Sequence, residues 1–306
     1  MPMDPDAQRV VDIIALAGRP SPQLLTPEAA RAAYREGRRV MQPPPEPVES
    51  VQDTTTSDGV GLRLYRGMDA VAGRCLLYCH GGGWLHGDLD THDGICRRLA
   101  NLARCRVVAV DYRLAPEHPF PAAIDDAATA LRWVAANADE LGVDPAQIAV
   151  GGDSAGGNLA AVLGLMGRDG TAPMPCFQIL FYPVTDLTCA MPSYKLHTEG
   201  VTLTADVMRW YAAQYLDGAD PADWRASPLQ ADLTGAPPAF VLTAGYDPLC
   251  DEGVAYARRL DEAGAQTAHL HMPTQVHGFL TMGRIVRVAD TAIDTAGAML
   301  RQVWDR

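Results

Sequence analysis

The chain runs to 306 residues, 48% of them hydrophobic and 20% charged, a balance that supports a sizeable buried core and excludes global disorder. Its formal net charge of −12 repels polyanions. This argues against nucleic acid or an anionic membrane surface as a partner and tilts substrate preference weakly toward neutral or cationic molecules. Seven cysteines, odd in number and without a C-x-x-C pair, predict reduced thiols in a cytosol, and no His or Cys cluster has the spacing of a metal site. At the amino terminus, residues 1–9 lack a basic run and the apolar stretch 10–17 is short and interrupted by Asp12. No apolar run reaches the roughly 20 residues of a membrane span, so a soluble cytoplasmic protein is expected. Residues 8–17 place Val10, Val11, Ile13, Ile14 and Ala17 on one helical stripe. Thr26-Pro27 opens a second helix over 27–41, and Pro43-Pro44-Pro45-Glu46-Pro47 is a stiff connector. Residues 1–47 therefore form a helical appendage.

Beyond the connector the pattern alternates. Segments 51–56 and 60–66 flank Ser57-Asp58-Gly59 and predict a hairpin. Then follow strands at 75–79 and 107–110, a helix over 122–139, a strand at 148–150 and a helix over 155–167. A strand at 177–182, another at 240–243, a helix over 251–263, a strand at 268–272 and a last helix over 285–303 complete the series. Such alternation predicts an α/β fold, a mostly parallel sheet with helices on both faces. It stops across 187–231, an expected insertion over one edge of the sheet. A helix near 204–216 there carries Met208, Trp210, Tyr211 and Tyr215.

Gly152-Asp153-Ser154-Ala155-Gly156 matches G-x-S-x-G between an apolar strand and a small-residue helix. In that context the serine sits on a sharp, strained turn, and the Ala155 N–H and the positive end of the helix face a developing oxyanion. Taken alone, the pentapeptide also fits a serine that merely caps a helix. His80-Gly81-Gly82-Gly83-Trp84 follows the strand at 75–79, and its glycines free backbone N–H groups to point at a ligand. His80 is read as structural, because in this architecture the base follows the serine. His277, in Val276-His277-Gly278-Phe279, is the expected base. His269 and His271 alternate within a strand, and His197 lies in the insertion. Asp247 is the expected acid, since catalytic side chains gather at the carboxyl ends of strands. Asp251 and Glu252 look like helix-start residues, and Asp186 is a weaker candidate. A serine hydroxyl needs a neutral imidazole to take its proton, and Asp247 would fix the tautomer.

Five blocks in this order resemble the bacterial hormone-sensitive-lipase-like esterases from about residue 50 to the C-terminus. They are the glycine loop at 80–84, Asp111-Tyr112-Arg113-Leu114-Ala115-Pro116-Glu117-His118-Pro119-Phe120-Pro121-Ala122, Gly152-Asp153-Ser154-Ala155-Gly156-Gly157-Asn158-Leu159-Ala160, Asp247-Pro248-Leu249-Cys250-Asp251-Glu252-Gly253 and His277-Gly278-Phe279. The resemblance implies an α/β-hydrolase fold in which 1–47 and 187–231 cap a catalytic domain made of 48–186 and 232–306. It implies oxyanion donors from Gly82, Gly83 and Ala155, and a triad of Ser154, Asp247 and His277. It further implies cleavage of short- to medium-chain acyl esters by water without a cofactor, structural roles for Asp111, Arg113 and Glu117, and dimerisation through the last strand and helix. One departure lies before the histidine, where Met272-Pro273-Thr274-Gln275-Val276 replaces a segment that commonly holds an aromatic and a glycine. Trp84, Trp210, Tyr211 and Tyr215 are candidates for the substrate pocket, with core packing the favoured alternative for each. Amide hydrolysis or arylacetamide deacetylation on the same triad is an alternative, because a fold does not set the bond cleaved. A non-catalytic binder is disfavoured by the presence of all three triad residues.

Overall fold

Short apolar runs alternate with Ala- and Leu-rich amphipathic segments, and each becomes a strand or a helix. The computed structural model describes residues 1–306. In chain order the elements are α1 (Pro5–Ala17), α2 (Pro27–Met41), β1 (Ser50–Thr55), β2 (Gly61–Arg66), β3 (Gly73–Cys79), α3 (Asp93–Ala103), β4 (Arg106–Asp111), α4 (Ala122–Ala136), α5 (Ala138–Leu141), β5 (Val143–Asp153), α6 (Ala155–Arg168), β6 (Gln178–Phe181), α7 (Ser193–Leu196), α8 (Ala205–Leu216), β7 (Ala239–Tyr246), α9 (Cys250–Glu262), β8 (Thr267–Val276) and α10 (Val288–Trp304). The first helices start where their caps dictate. Asp4 accepts from the Asp6 N–H at 2.8 Å and precedes Pro5, and Thr26 accepts from the Ala29 N–H at 3.3 Å and precedes Pro27.

The eight strands form one sheet in the order β1-β2-β4-β3-β5-β6-β7-β8. β2 pairs antiparallel with both neighbours, and all other pairings are parallel. α3 was not among the expected helices. A parallel crossover from β3 to β4 demands such an element, and its buried Ile95, Cys96, Leu99, Ala100 and Ala103 carry the helical spacing. No side chain caps it, which removes the usual start signal.

Alternation along the strands divides the core into two layers. Leu77, Val108, Val150 and Val241 pack with one cluster, whereas Leu76, Val107, Ala149 and Phe240 pack with the other. Burying each such side chain contributes roughly 1.5–3 kcal/mol, so the sheet centre is the rigid platform of the molecule. The chain passes from β3 to β4 on one side and returns to β5 on the other. That reversal opens a crevice at the carboxyl ends of β3 and β5. No helix is long and apolar enough to cross a membrane, and all seven cysteines are free thiols.

Candidate active site

Ser154 stands at the end of β5 with φ +56° and ψ −118°. A non-glycine residue takes such a conformation only where its surroundings enforce it. The enforcement is visible at Gly156, where a Cβ would collide with the Cys79 carbonyl oxygen. The absence of a side chain there lets α6 start against the end of β3. The sharp turn projects the serine hydroxyl out of the sheet.

The strand ends bring two more side chains to that hydroxyl. Nε2 of His277 lies 2.9 Å from Ser154 Oγ, and its Nδ1 lies 2.7 Å from Asp247 Oδ2. Asp247 follows β7 directly, and its other oxygen accepts from the Leu249 N–H at 2.9 Å. The carboxylate is fully buried, with Ser154 at 6% and His277 at 9% exposure, so water does not compete for the two hydrogen bonds. β8 continues through Thr274 to Val276 and delivers His277 despite the unusual segment before it. The Thr274 carbonyl accepts from the Asp4 N–H at 3.0 Å, and Thr202 Oγ1 donates to the His277 carbonyl at 2.7 Å.

Opposite the serine, Gly82 and Gly83 adopt φ +125° and +62°. Their N–H groups and that of Ala155 have no acceptor within the chain. The loop is held from below by Asp153, which accepts from Tyr78 Oη at 2.9 Å and the Gly81 N–H at 3.0 Å and lies 3.3 Å from His92 Nε2. Burial pushes the Asp153 carboxyl up, but His92 and the Tyr78 hydroxyl outweigh it and hold the group down at about 2. His80 stacks on Tyr112 at 4.2 Å, and burial lowers its imidazole to about 4.

A hydroxyl on an elbow, an imidazole between it and a buried carboxylate, and free amides across from it form the arrangement used for acyl transfer. Residues 76–281 match the family described as alpha/beta hydrolase fold. The chain belongs to the α/β-hydrolase-fold family. A carboxylesterase of Mycobacterium tuberculosis is 46% identical over 232 residues, covering 74% of this chain and 73% of the relative. An ethyl acetate hydrolase of Pseudomonas putida is 38% identical over 317 residues, covering 99% of each chain. Among solved structures, an ester hydrolase from the metagenome of Lake Arreo superimposes with a TM-score of 0.94 at 42% identity, covering 99% of this chain and 100% of that one.

In this α/β-hydrolase the catalytic crevice opens into a cavity of about 350 Å³. Ser154, His277, Gly82 and Gly83 line it together with residues of α1, α2 and α8. Of the four aromatic pocket candidates, only Tyr211 reaches its wall. Trp84 and Tyr215 are corrected to core residues, fully buried and stacked on each other at 4.2 Å. Trp210 is corrected to a packing residue against the outside of the same core. On α8 these side chains point in different directions, which a shared aromatic character hides. Asp251 and Glu252 do lie in the first turn of α9, but Asp251 also ties down the start of the 187–231 segment and Glu252 the residues just before it. Asp251 accepts from the Ser193 N–H at 2.8 Å, and Glu252 accepts from the Thr185 N–H at 2.7 Å. Thr202, Asp153 and Tyr34 of the cavity and its support escaped the sequence reading, because no motif marks a residue that only holds another. No group of three or more His, Cys, Asp or Glu side chains is arranged to hold a metal ion.

Proposed function

We propose that the protein hydrolyses carboxylic esters of short- to medium-chain acids through an acyl-enzyme on Ser154. The observation that carries this reading is the unbroken relay from Asp247 Oδ2 through both nitrogens of His277 to Ser154 Oγ, at 2.7 and 2.9 Å. Ser154 Oγ attacks the ester carbonyl carbon while His277 Nε2 takes its proton. The N–H groups of Gly82, Gly83 and Ala155 receive the negative charge of the tetrahedral oxygen. His277 returns the proton to the leaving alcohol. A water then gives a proton to His277 and attacks the acyl carbon, and the acid departs as Ser154 is restored. Asp247 holds the Nδ1–H tautomer throughout. Residues 1–47 and 187–231 act as the cap over a catalytic domain of 48–186 and 232–306, in keeping with the cavity walls they supply. Seven free thiols suit a reducing cytosol. The open edge of β8 at the end of the sheet suits pairing with a second copy, which sedimentation would read as a doubled mass.

The decisive test replaces Ser154. Ser154→Ala should lower ester turnover by about a million-fold, as in other serine hydrolases. A residual rate within about tenfold of the parent ends the proposal. A fluorophosphonate probe should label the parent and not the variant, which separates a hydrolase from a binder. p-Nitrophenyl esters beside a matching anilide separate ester from amide cleavage.

A further inference from the structure

α2 carries four arginines, and they divide. Arg31 pairs with Glu117 at 2.5 Å, Arg35 pairs with Asp88, and Arg39 pairs with Glu36 at 2.9 Å. Arg38 alone makes no ion pair. Its guanidinium carbon lies 4.7 Å from the centroid of the Tyr34 ring. Its Nη2 lies 3.3 Å from the point where a Cβ on Gly278 would stand, one residue from His277. It lines the same cavity as Ser154 and His277.

The other charges on that wall are already engaged. Arg19 donates to the Ala33 carbonyl at 3.0 Å. Asp153, the cavity's only carboxylate, is held by Tyr78, Gly81 and His92. Thus a molecule of net charge −12 keeps an uncommitted cation beside its reactive serine. A guanidinium taken partly out of water and set over an aromatic ring, its forked donors without an ion-pair partner, is a built receptor for a carboxylate. A purely apolar ester would leave those donors unsatisfied.

We propose that Arg38 selects esters bearing a free carboxylate on the portion lodged beneath α2, such as monoesters of dicarboxylic acids or acyl esters of hydroxy acids. The proposal rests on the ester-hydrolase reading of Ser154 and His277. The carboxylate takes no part in bond making. It orients the scissile carbonyl through a paired hydrogen bond to the guanidinium.

Two substrate pairs of matched length test this on the full chain: monoethyl glutarate against ethyl valerate, and 4-acetoxybutanoate against butyl acetate. In at least one pair, Arg38→Gln should lower the anionic-to-neutral ratio of kcat/KM by about tenfold or more, the worth of a charge-assisted hydrogen bond. Arg38→Lys should recover part of that ratio. In the parent protein, glutarate should inhibit neutral-ester hydrolysis competitively and more strongly than glutaramide. This comparison decides the matter if Arg38→Gln fails to fold. A ratio unmoved in both pairs, or glutarate no better than glutaramide, overturns the assignment. Turnover of the neutral esters by the parent reports separately on the ester-hydrolase reading, so the two failures are distinguishable.

Discussion

Asp153 sits beside the proposed nucleophile in sequence, and its carboxylate is tied to the underside of the glycine loop. Its partners Tyr78, Gly81 and His92 come from β3, the loop after it and the start of α3. Removing its charge strands a buried imidazole and weakens the hold on Gly81, the neighbour of the proposed oxyanion donors. Asp153→Asn should therefore lower kcat at least about tenfold with a smaller change in KM, and lower the melting temperature by several degrees. Steady-state kinetics beside a thermal melt check both. An unchanged kcat shows that the loop holds its geometry without this anchor. That Ser154, Asp247 and His277 meet was legible because the nucleophilic mechanism proposed for them constrains residue type, order and strand position together. The parts of Asp153, Thr202 and Arg38 were not, since holding a loop, a carbonyl or a substrate group obeys only local geometry, and many residue types satisfy it.

At the level of elements, the proposed base is held from two directions. β8 carries it to the crevice, and Thr202 from the 187–231 segment binds its carbonyl at 2.7 Å. Thr202→Val removes that hydrogen bond with almost no change in volume, and should cut kcat severalfold while fluorophosphonate labelling persists at a slower rate. A rate equal to the parent's means that β8 alone sets the imidazole. Arg31 plays a similar part for α2, donating to Glu117 and to the carbonyls of Leu85 and Ala115. Arg31→Ala should lower the melting temperature and raise KM more than it lowers kcat, because it loosens a cavity wall and leaves the triad intact. Differential scanning fluorimetry and the kinetics of a neutral ester read both effects. Strand and helix periodicity revealed most of the elements, since burial on a sheet face leaves a mark every second residue. α3 was missed although its apolar stripe is unbroken, because no side chain caps its start. Trp84, Trp210 and Tyr215 took the core-packing alternative open to each pocket candidate, because neither a glycine-rich loop nor the weak stripe of α8 tells which aromatic faces the cavity.

For the whole molecule, acid is the stress it should tolerate least. Burial lowers the His80 and His86 imidazoles to about 4 from an ordinary 6.5. Between those values the unfolded chain binds protons that the folded one refuses, so stability is complete above the ordinary histidine range and falls as pH drops toward about 4. Asp153, held at about 2, adds a further loss of the same sign below the ordinary carboxylate range. Glu252 works the other way, since burial raises its carboxyl and folding favours its protonated form. His269 is lowered by burial as well and Asp111 is raised by it, so three histidines against two carboxyls predict a melting temperature that declines from about pH 7 to about pH 4.5, and a shallower decline in His86→Gln. A flat profile refutes the buried-histidine account.

The closeness of Gly83 to α8 carries a lesson for engineering. A Cβ at 83 would stand 2.6 Å from the ring of Tyr211, so the loop after β3 and the 187–231 segment are cut to each other's shape. Grafting that segment from a relative to alter substrate range will succeed only when the grafted residue at 211 fits against Gly83, whose φ of +62° strains any other residue type there. A library at 211 that ignores this contact will mostly sample clashes or voids beside the serine.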